Sequence, residues 1–549
     1  KNSKIVIAVS NTNYDKVNNF VCAFNDIHPE ITFDLVSMEN EKLNYYLRHN
    51  RLNADIICFE DLIELRSSSS YFVDFSSSEI VNRFSKYILN YLELDDGKVC
   101  CLPSPGGFYC NVINNDILDK YSMMSLPRSL SSLLDYATNI RSQITPFLSS
   151  SVGDRQFLDL FMQATVSTYF SNPVGNDVFK KYYTGECGIE DSDEYDSFRY
   201  LLNKNYRQMY SSGFASIETE DSDNVERFLN GESLILSVSP RLDFDKIVTQ
   251  SGKSIHYSYI PYVGNTNDDS WLPSTSDFFF SVSKDSYSGM KKEEIDKVLD
   301  FFSSEEGQNS LMQDENGEKS NNRISYLSNQ AYQLTGNYQE LNQLLNRGRV
   351  YFVDDFVYAF GLSIDSMKKF IYDEIDGNQL IQEMDYNMVI QNNYVINKVY
   401  FDSLVGKGEL ATQQKEMVGA ILKIMATSQK LDVILCEDSF IRQDVFDGIV
   451  YEDEMDVVFD ENCQAVYSTL TGSELIKVAQ MVPDRYSLYG ISKKNDTYVI
   501  GNQVPVSNQR NYRVLLSKKY LLDHDVSLGR NPEEVNLLKY LKTCLALQR

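Results

Sequence analysis

The chain has one tryptophan and four histidines in 549 residues, and none of its nine cysteines falls in a CxxC pair. Without His and Cys at ligand spacing a zinc site has no donors, so no metal and no cofactor are expected. The cysteines (Cys22, Cys58, Cys100, Cys101, Cys110, Cys187, Cys436, Cys463, Cys544) are odd in number and unpatterned, unlike a disulfide framework. That points to a reducing compartment or to export by an anaerobe. A bridge among Cys100, Cys101 and Cys110 stays open, since that segment can fold back on itself. Cys22 and Cys58 sit on apolar periodic faces and are expected to be buried free thiols. Long apolar runs are missing too. The longest, Met417–Ala426, carries Lys423 and falls well short of the ~20 residues that cross a bilayer. There is no G-x-S-x-G, no HExxH and no phosphate-cradling glycine loop, and no nucleophile–base arrangement stands out, so no catalysis is expected. Basic residues are outnumbered 78 to 51, giving a net charge of −27. Such a surface repels phosphate backbones and anionic membranes, which argues against a nucleic-acid partner.

What is present is enough for large cores. Apolar residues are 42% of a chain too long for one ordinary domain, so two or three are expected. Tyrosine, at 37 residues, and serine are abundant, and clefts rich in both suit polyhydroxylated ligands: the ring covers C–H groups while hydroxyls exchange hydrogen bonds.

The opening residues are the most legible. Ile5–Val9 reads as a strand, and Val17, Phe20, Val21, Phe24 and Ile27 recur on one face of a helix that Pro29 stops. Ile31, Phe33 and Leu35 alternate as a strand, a helix follows near Leu43–Arg51, and Ala54–Phe59 is a buried strand. Strand–helix–strand repetition predicts a parallel sheet with right-handed crossovers. Ligands of such sheets lie beyond the carboxyl ends of the strands, where this chain places Asn11, Glu60 and Asp61. Their alternative role is helix capping. Further on, Ser233–Ser239, Ile255–Tyr262 and Phe278–Val282 read as strands. A third region, starting near 391, holds a helix over Met417–Met425 and strands at Val433–Cys436, Ala465–Leu470, Thr497–Ile500 and Tyr512–Leu516. Thr471-x-x-Glu474 makes a capping box.

Several stretches carry a family resemblance: Phe24-Asn25-Asp26-Ile27-His28-Pro29-Glu30-Ile31, Ala54-Asp55-Ile56-Ile57, Leu102-Pro103 with Tyr109-Cys110-Asn111, Phe228-Leu229-Asn230-Gly231-Glu232, Phe280–Lys284 and Phe301–Gln308. In this order and spacing, residues 1–390 resemble the extracellular solute-binding proteins of ABC importers, particularly the oligosaccharide-binding branch. The resemblance implies an α/β, two-lobed periplasmic-binding-protein-like fold of type II, with crossings near 110, 240–260 and 300–320. It also implies a surface lipoprotein, a monomer, that hands a sugar or oligosaccharide to an ABC permease in the membrane. The start at Lys1 fits removal of a signal segment.

Residues 391–549 resemble the C-terminal domain of 5′-nucleotidases through Glu416-Met417-Val418-Gly419, Leu431–Leu435, Ile441-Arg442, Gly448-Ile449-Val450, Phe459 with Asn462, and Leu470–Leu475. Where that family has an Asn-Gly-Gly substrate loop, this chain reads Cys436-Glu437-Asp438-Ser439. The metallophosphatase domain with its metal ligands is absent, which removes two-metal hydrolysis. Arg442, Phe459 and Asn462 are then a relic nucleoside pocket, or Phe459 is core and Arg442 a surface pair. An acidic run (Asp444, Asp447, Glu452, Asp453, Glu454, Asp456) lacks calcium-loop order and reads as a solvated face.

Within the expected cleft the candidate ligand contacts are Asn11, Glu60, Asp61, Tyr109, Arg155, Trp271 and Asp277. Trp271, beside Pro273 in a polar loop, is either a stacking platform or packs on a neighbouring lobe. Tyr109 touches ligand or packs at the hinge, and Arg155 is a donor or the partner of Asp154. The competing readings are a sensor or docking module, and nucleoside binding by residues 391–549.

Overall fold

The computed structural model describes residues 4–183, 187–217, 223–314, 316–328, 336–354, 360–361, 363–391, 410–442, 452–501, 503–526 and 529–546. Contacts divide the chain into two units, Lys1–Val389 and Ile390–Arg549.

The first unit contains two main sheets. Strands β1 (Ile5–Ser10), β2 (Phe33–Met38) and β3 (Ile56–Phe59) run parallel, as their βαβ spacing predicts. Helix α1 (Tyr14–Ile27) buries Val17, Phe20, Val21 and Phe24 against them. Cys22 lies off that stripe and is exposed, correcting the expected buried thiol; all nine cysteines are free, and Cys100, Cys101 and Cys110 are buried without a bridge.

From β4 (Leu102–Pro103) the chain leaves the first sheet, passes through β5 (Gly106–Gly107) and enters the second sheet at β6 (Cys110–Asn114). The second sheet adds β7 (Thr145–Ser149), β8 (Ser233–Val238) and β9 (Tyr257–Ile260), in the order β7-β8-β6-β9. The chain returns through β10 (Leu272–Ser274) to β11 (Phe279–Val282), which slots antiparallel between β3 and β4 and completes the order β2-β1-β3-β11-β4. It crosses again at β12 (Arg323–Ile324), paired with β5, and at β13 (Val350–Phe352), paired with β10.

The crossings therefore fall near 104–109, 261–278 and 322–354. The second and third lie downstream of the expected 240–260 and 300–320, because β9 belongs to the second sheet through Ile260 and the helix Glu305–Met312 still covers the first. Residues 104–109 and 273–278 pair in one ladder, with Ser104, Thr275, Asp277 and Tyr109 amides donating to the carbonyls of Phe278, Gly107, Pro105 and Pro273. The ladder is tight: a Cβ on Gly106 would lie 1.6 Å from the Thr275 carbonyl oxygen.

One apolar cluster spans the first sheet, its helices and one face of the second sheet (Val112, Leu236, Tyr259). Another covers the opposite face (Ile113, Phe147, Ile235, Ile260) together with the helices that follow β13.

The second unit has a five-stranded sheet: β14 (Val433–Glu437), β15 (Gln464–Thr471), β16 (Tyr486–Tyr489), β20 (Asn511–Ser517) and β21 (Arg530–Asn536), in the order β16-β14-β20-β15-β21. A small antiparallel sheet joins β17 (Ile491–Lys494), β18 (Thr497–Ile500) and β19 (Val504–Pro505). The expected capping box forms, with Thr471 and Glu474 bonded reciprocally at the start of the helix Gly472–Gln480. Asp444 and Asp447 of the acidic run and the Gly448-Ile449-Val450 segment lie outside the described residues.

Candidate functional site

Register fixes which residues can meet. In the first sheet β1 and β3 end at Ser10 and Phe59, and β11, running oppositely, begins beside Phe59 at Phe279. One edge therefore gathers Asn11, Asn13, Lys16, Glu60, Asp61 and Asp277. In the second sheet Ser149 lies opposite Ser237, Cys110 opposite Val238 and Asn111 opposite Ile260. That edge gathers Tyr109, Ser149, Arg155, Asp159, Arg241 and Tyr262. The short ladder 104–109 joins the two edges. Lys16 and Glu60 on the first lie within electrostatic reach of Arg241 on the second.

The first edge is bonded to itself. Asn13, buried, donates to Glu60 Oε1 at 2.8 Å and to the Asp277 carbonyl at 2.9 Å. Ser10 also donates to Glu60. Burial, helped by the neighbouring charges of Asp61 and Glu41, raises the Glu60 pKa above the usual carboxylate range. Asp61 accepts from Asn40 and Asn44 at 3.0 and 2.8 Å, so it anchors the helix α2 (Asn40–Arg48). Asp277 Oδ2 takes Lys16 Nζ at 2.8 Å and also pairs with Arg323. Burial first, then the positive fields of Arg323 and Arg241, bring the Lys16 pKa down to about 7, and burial lowers Arg323 to about 10.

On the second edge the helix Arg155–Thr165 carries Asp159 inward, where Ser149 (2.6 Å), Ser237 and Tyr262 (3.0 Å) donate to its carboxylate. Full burial raises its pKa despite those bonds. Tyr109 has its hydroxyl pushed up to about 12 by burial, against the opposing pull of Arg155 and Arg241. Among the described residues neither Arg155 nor Arg241 makes a hydrogen bond or ion pair, and both are exposed. The loop under Arg241 is nonetheless held: Asn322 Nδ2 donates to the Pro240 and Leu242 carbonyls at 3.2 and 3.1 Å.

Of the residues singled out from sequence, Asn11, Glu60, Asp61 and Asp277 come together on one edge, and Tyr109 and Arg155 on the other. Asp154 pairs with Lys368 at 3.3 Å rather than with Arg155. Trp271 corrects the polar-loop reading. It bridges Tyr262, its amide donates to Ser167 Oγ at 3.1 Å, and its half-buried ring packs on the second cluster with Arg349 6.0 Å from its centroid. Sequence reasoning passed over Asn13, Lys16, Asp159, Arg241 and Arg323. Asp159 left a usable signal: it is the one carboxylate inside the buried run Phe157–Ala164.

In the second unit, Phe459 is fully buried against Phe440, and Arg442 pairs with Asp460, whose side chain also takes the Asn462 amide. A ring with no exposed face cannot stack on a base, so of the two readings the structure matches Phe459 as core and Arg442 as a surface pair. No metal-holding cluster occurs among the described residues. No described helix is long and apolar enough to cross a membrane. A depression of about 910 Å³ lies at the far end of the second sheet, lined by Arg141, Thr145, Gly213 and Glu232, away from both edges.

No family model matches the chain, and no curated protein matches it in sequence. Solved structures do match. A family 1 extracellular solute-binding protein from Bifidobacterium longum subsp. infantis aligns with a TM-score of 0.58 at 15% identity, covering 70% of this chain and 99% of its own. The binding protein MsmE from Bacillus subtilis, in an open conformation, gives 0.55 at 15% identity over 70% and 97%. RafE from Streptococcus pneumoniae, in its apo form, gives 0.54 at 12% over 71% and 98%. The covered share is about that of the first unit, so the chain contains the two-lobed α/β fold of these solute-binding proteins. The nucleotidase-like reading of the second unit has no counterpart in these matches.

Proposed function

We propose that the first unit is the extracellular substrate-binding component of an ABC importer, taking a sugar or oligosaccharide between its lobes and presenting it to a membrane permease. The observation that carries this is the pairing of two sheet edges, each rich in hydroxyl, amide and charged groups, across one short ladder. A saccharide offers vicinal hydroxyls to such groups and a C–H face to Tyr109. Contacts to both edges at once favour the closed form, and residues 104–109 and 273–278 are placed to absorb the rotation. Export and a lipid anchor belong to the same reading. The second unit is then an appended, non-catalytic domain resembling the C-terminal part of 5′-nucleotidases.

The test is a thermal-shift screen of the full chain against neutral and acidic oligosaccharides. A rise in melting temperature that Tyr109→Ala removes supports capture. No shift with any saccharide, or a shift only with nucleosides, contradicts it. Phosphate released from AMP above a no-protein control contradicts the non-catalytic assignment.

A further inference from the structure

The two edges differ in what they leave available. Five carboxylates there each hold at least one partner: Glu60 with Ser10 and Asn13, Asp61 with Asn40 and Asn44, Asp277 with Lys16 and Arg323, Asp159 with two serines and Tyr262, and Asp354 with the Ser276 amide at 3.0 Å. On the second edge two cations stand without a partner among the described residues. Arg155 and Arg241 lie on the same edge as Tyr109, within its electrostatic reach, with no hydrogen-bond or ion-pair partner among the described residues, in a chain of net charge −27. The backbone carrying Arg241 is clamped by Asn322, next to Arg323, so this guanidinium is tethered at its base and free at its tip. A guanidinium offers five N–H donors in a planar fork that matches an oxyanion bidentately.

We propose, resting on the saccharide-capture reading above, that the ligand is an acidic saccharide whose carboxylate or sulfate is gripped by Arg155 and Arg241. Tyr109, on the same edge, meets the sugar ring.

The test uses the full chain and matched probes: uronate trisaccharides, their methyl esters, sulfated trisaccharides, neutral trisaccharides, and tricarballylate as a charge without a sugar. The expected result is a melting-temperature rise with uronate or sulfated saccharides and little with esters or neutral sugars. Whichever anion acts identifies the group. Arg155→Gln and Arg241→Gln should each weaken binding about tenfold to a hundredfold by calorimetry, while their ligand-free melting temperatures stay near wild type because both side chains are exposed. If esters and neutral sugars bind as well as the acids, the acidic-ligand proposal fails and saccharide capture stands. If tricarballylate binds and no saccharide does, both fail, as they do if nothing binds.

Discussion

The sheet edge ending β1 and β3 and the edge beginning β6 face the same ladder but are built differently. The first is largely bonded to itself, through Asn13, Ser10, Glu60, Asp277, Lys16 and Arg323. The second closes only its buried layer, around Asp159, and leaves Tyr109, Arg155 and Arg241 with capacity to spare. The difference teaches a division of labour. One wall is bonded largely to itself, and in the proposed reading the other supplies the grip.

Substitutions should separate the two. The largest effect is expected from Gly106→Ala, since no side chain can be accommodated 1.6 Å from the Thr275 carbonyl. The ladder must open, at a cost of about 3 kcal/mol or more in unfolding experiments. Asp277→Ala should follow, at about 3 kcal/mol, because it strands the buried Arg323 beside Lys16. Asn13→Ala should cost about 1–3 kcal/mol by leaving the half-buried Glu60 short of a donor. On the open wall, Arg155→Gln and Arg241→Gln should move stability by less than about 0.5 kcal/mol. A large loss of stability there would erase the comparison.

A separate contrast is in pH dependence. Lys16 titrates at about 7 in the folded chain and at its ordinary 10.5 when unfolded. Below pH 7 both states are protonated and the burial penalty is fully present. Between about 7 and 10.5 the unfolded chain binds the extra proton, so this group makes stability rise with pH. Lys16→Gln should flatten that slope in denaturation curves collected across the window.

The sequence-level reading succeeded where periodicity decides. The β1–α1–β2 run, the capping box at Thr471 and the strand-end positions of Asn11, Glu60 and Asp61 all follow from local pattern. It failed where long-range pairing decides. Nothing local announces that Asn13 reaches Asp277, 264 residues away, or that Asn322 pins the loop under Arg241. Trp271 misled because Pro and Ser around it suggest a loop, whereas pairing with Tyr262 sets its surroundings. Phe459 fits a pocket pattern in the sequence, but whether a ring faces solvent or core depends on its packing, here against Phe440.

The account rests on two walls being engaged by one ligand at the same time. Hydrogen exchange on the full chain, with and without the saccharide that raises its melting temperature most, tests this directly. Predicted is joint protection of Ser10–Lys16 on one wall and of Tyr109, Ser149–Asp159 and Arg241 on the other, at the same ligand concentration. Protection confined to one wall, or appearing only in residues 390–549, would contradict it.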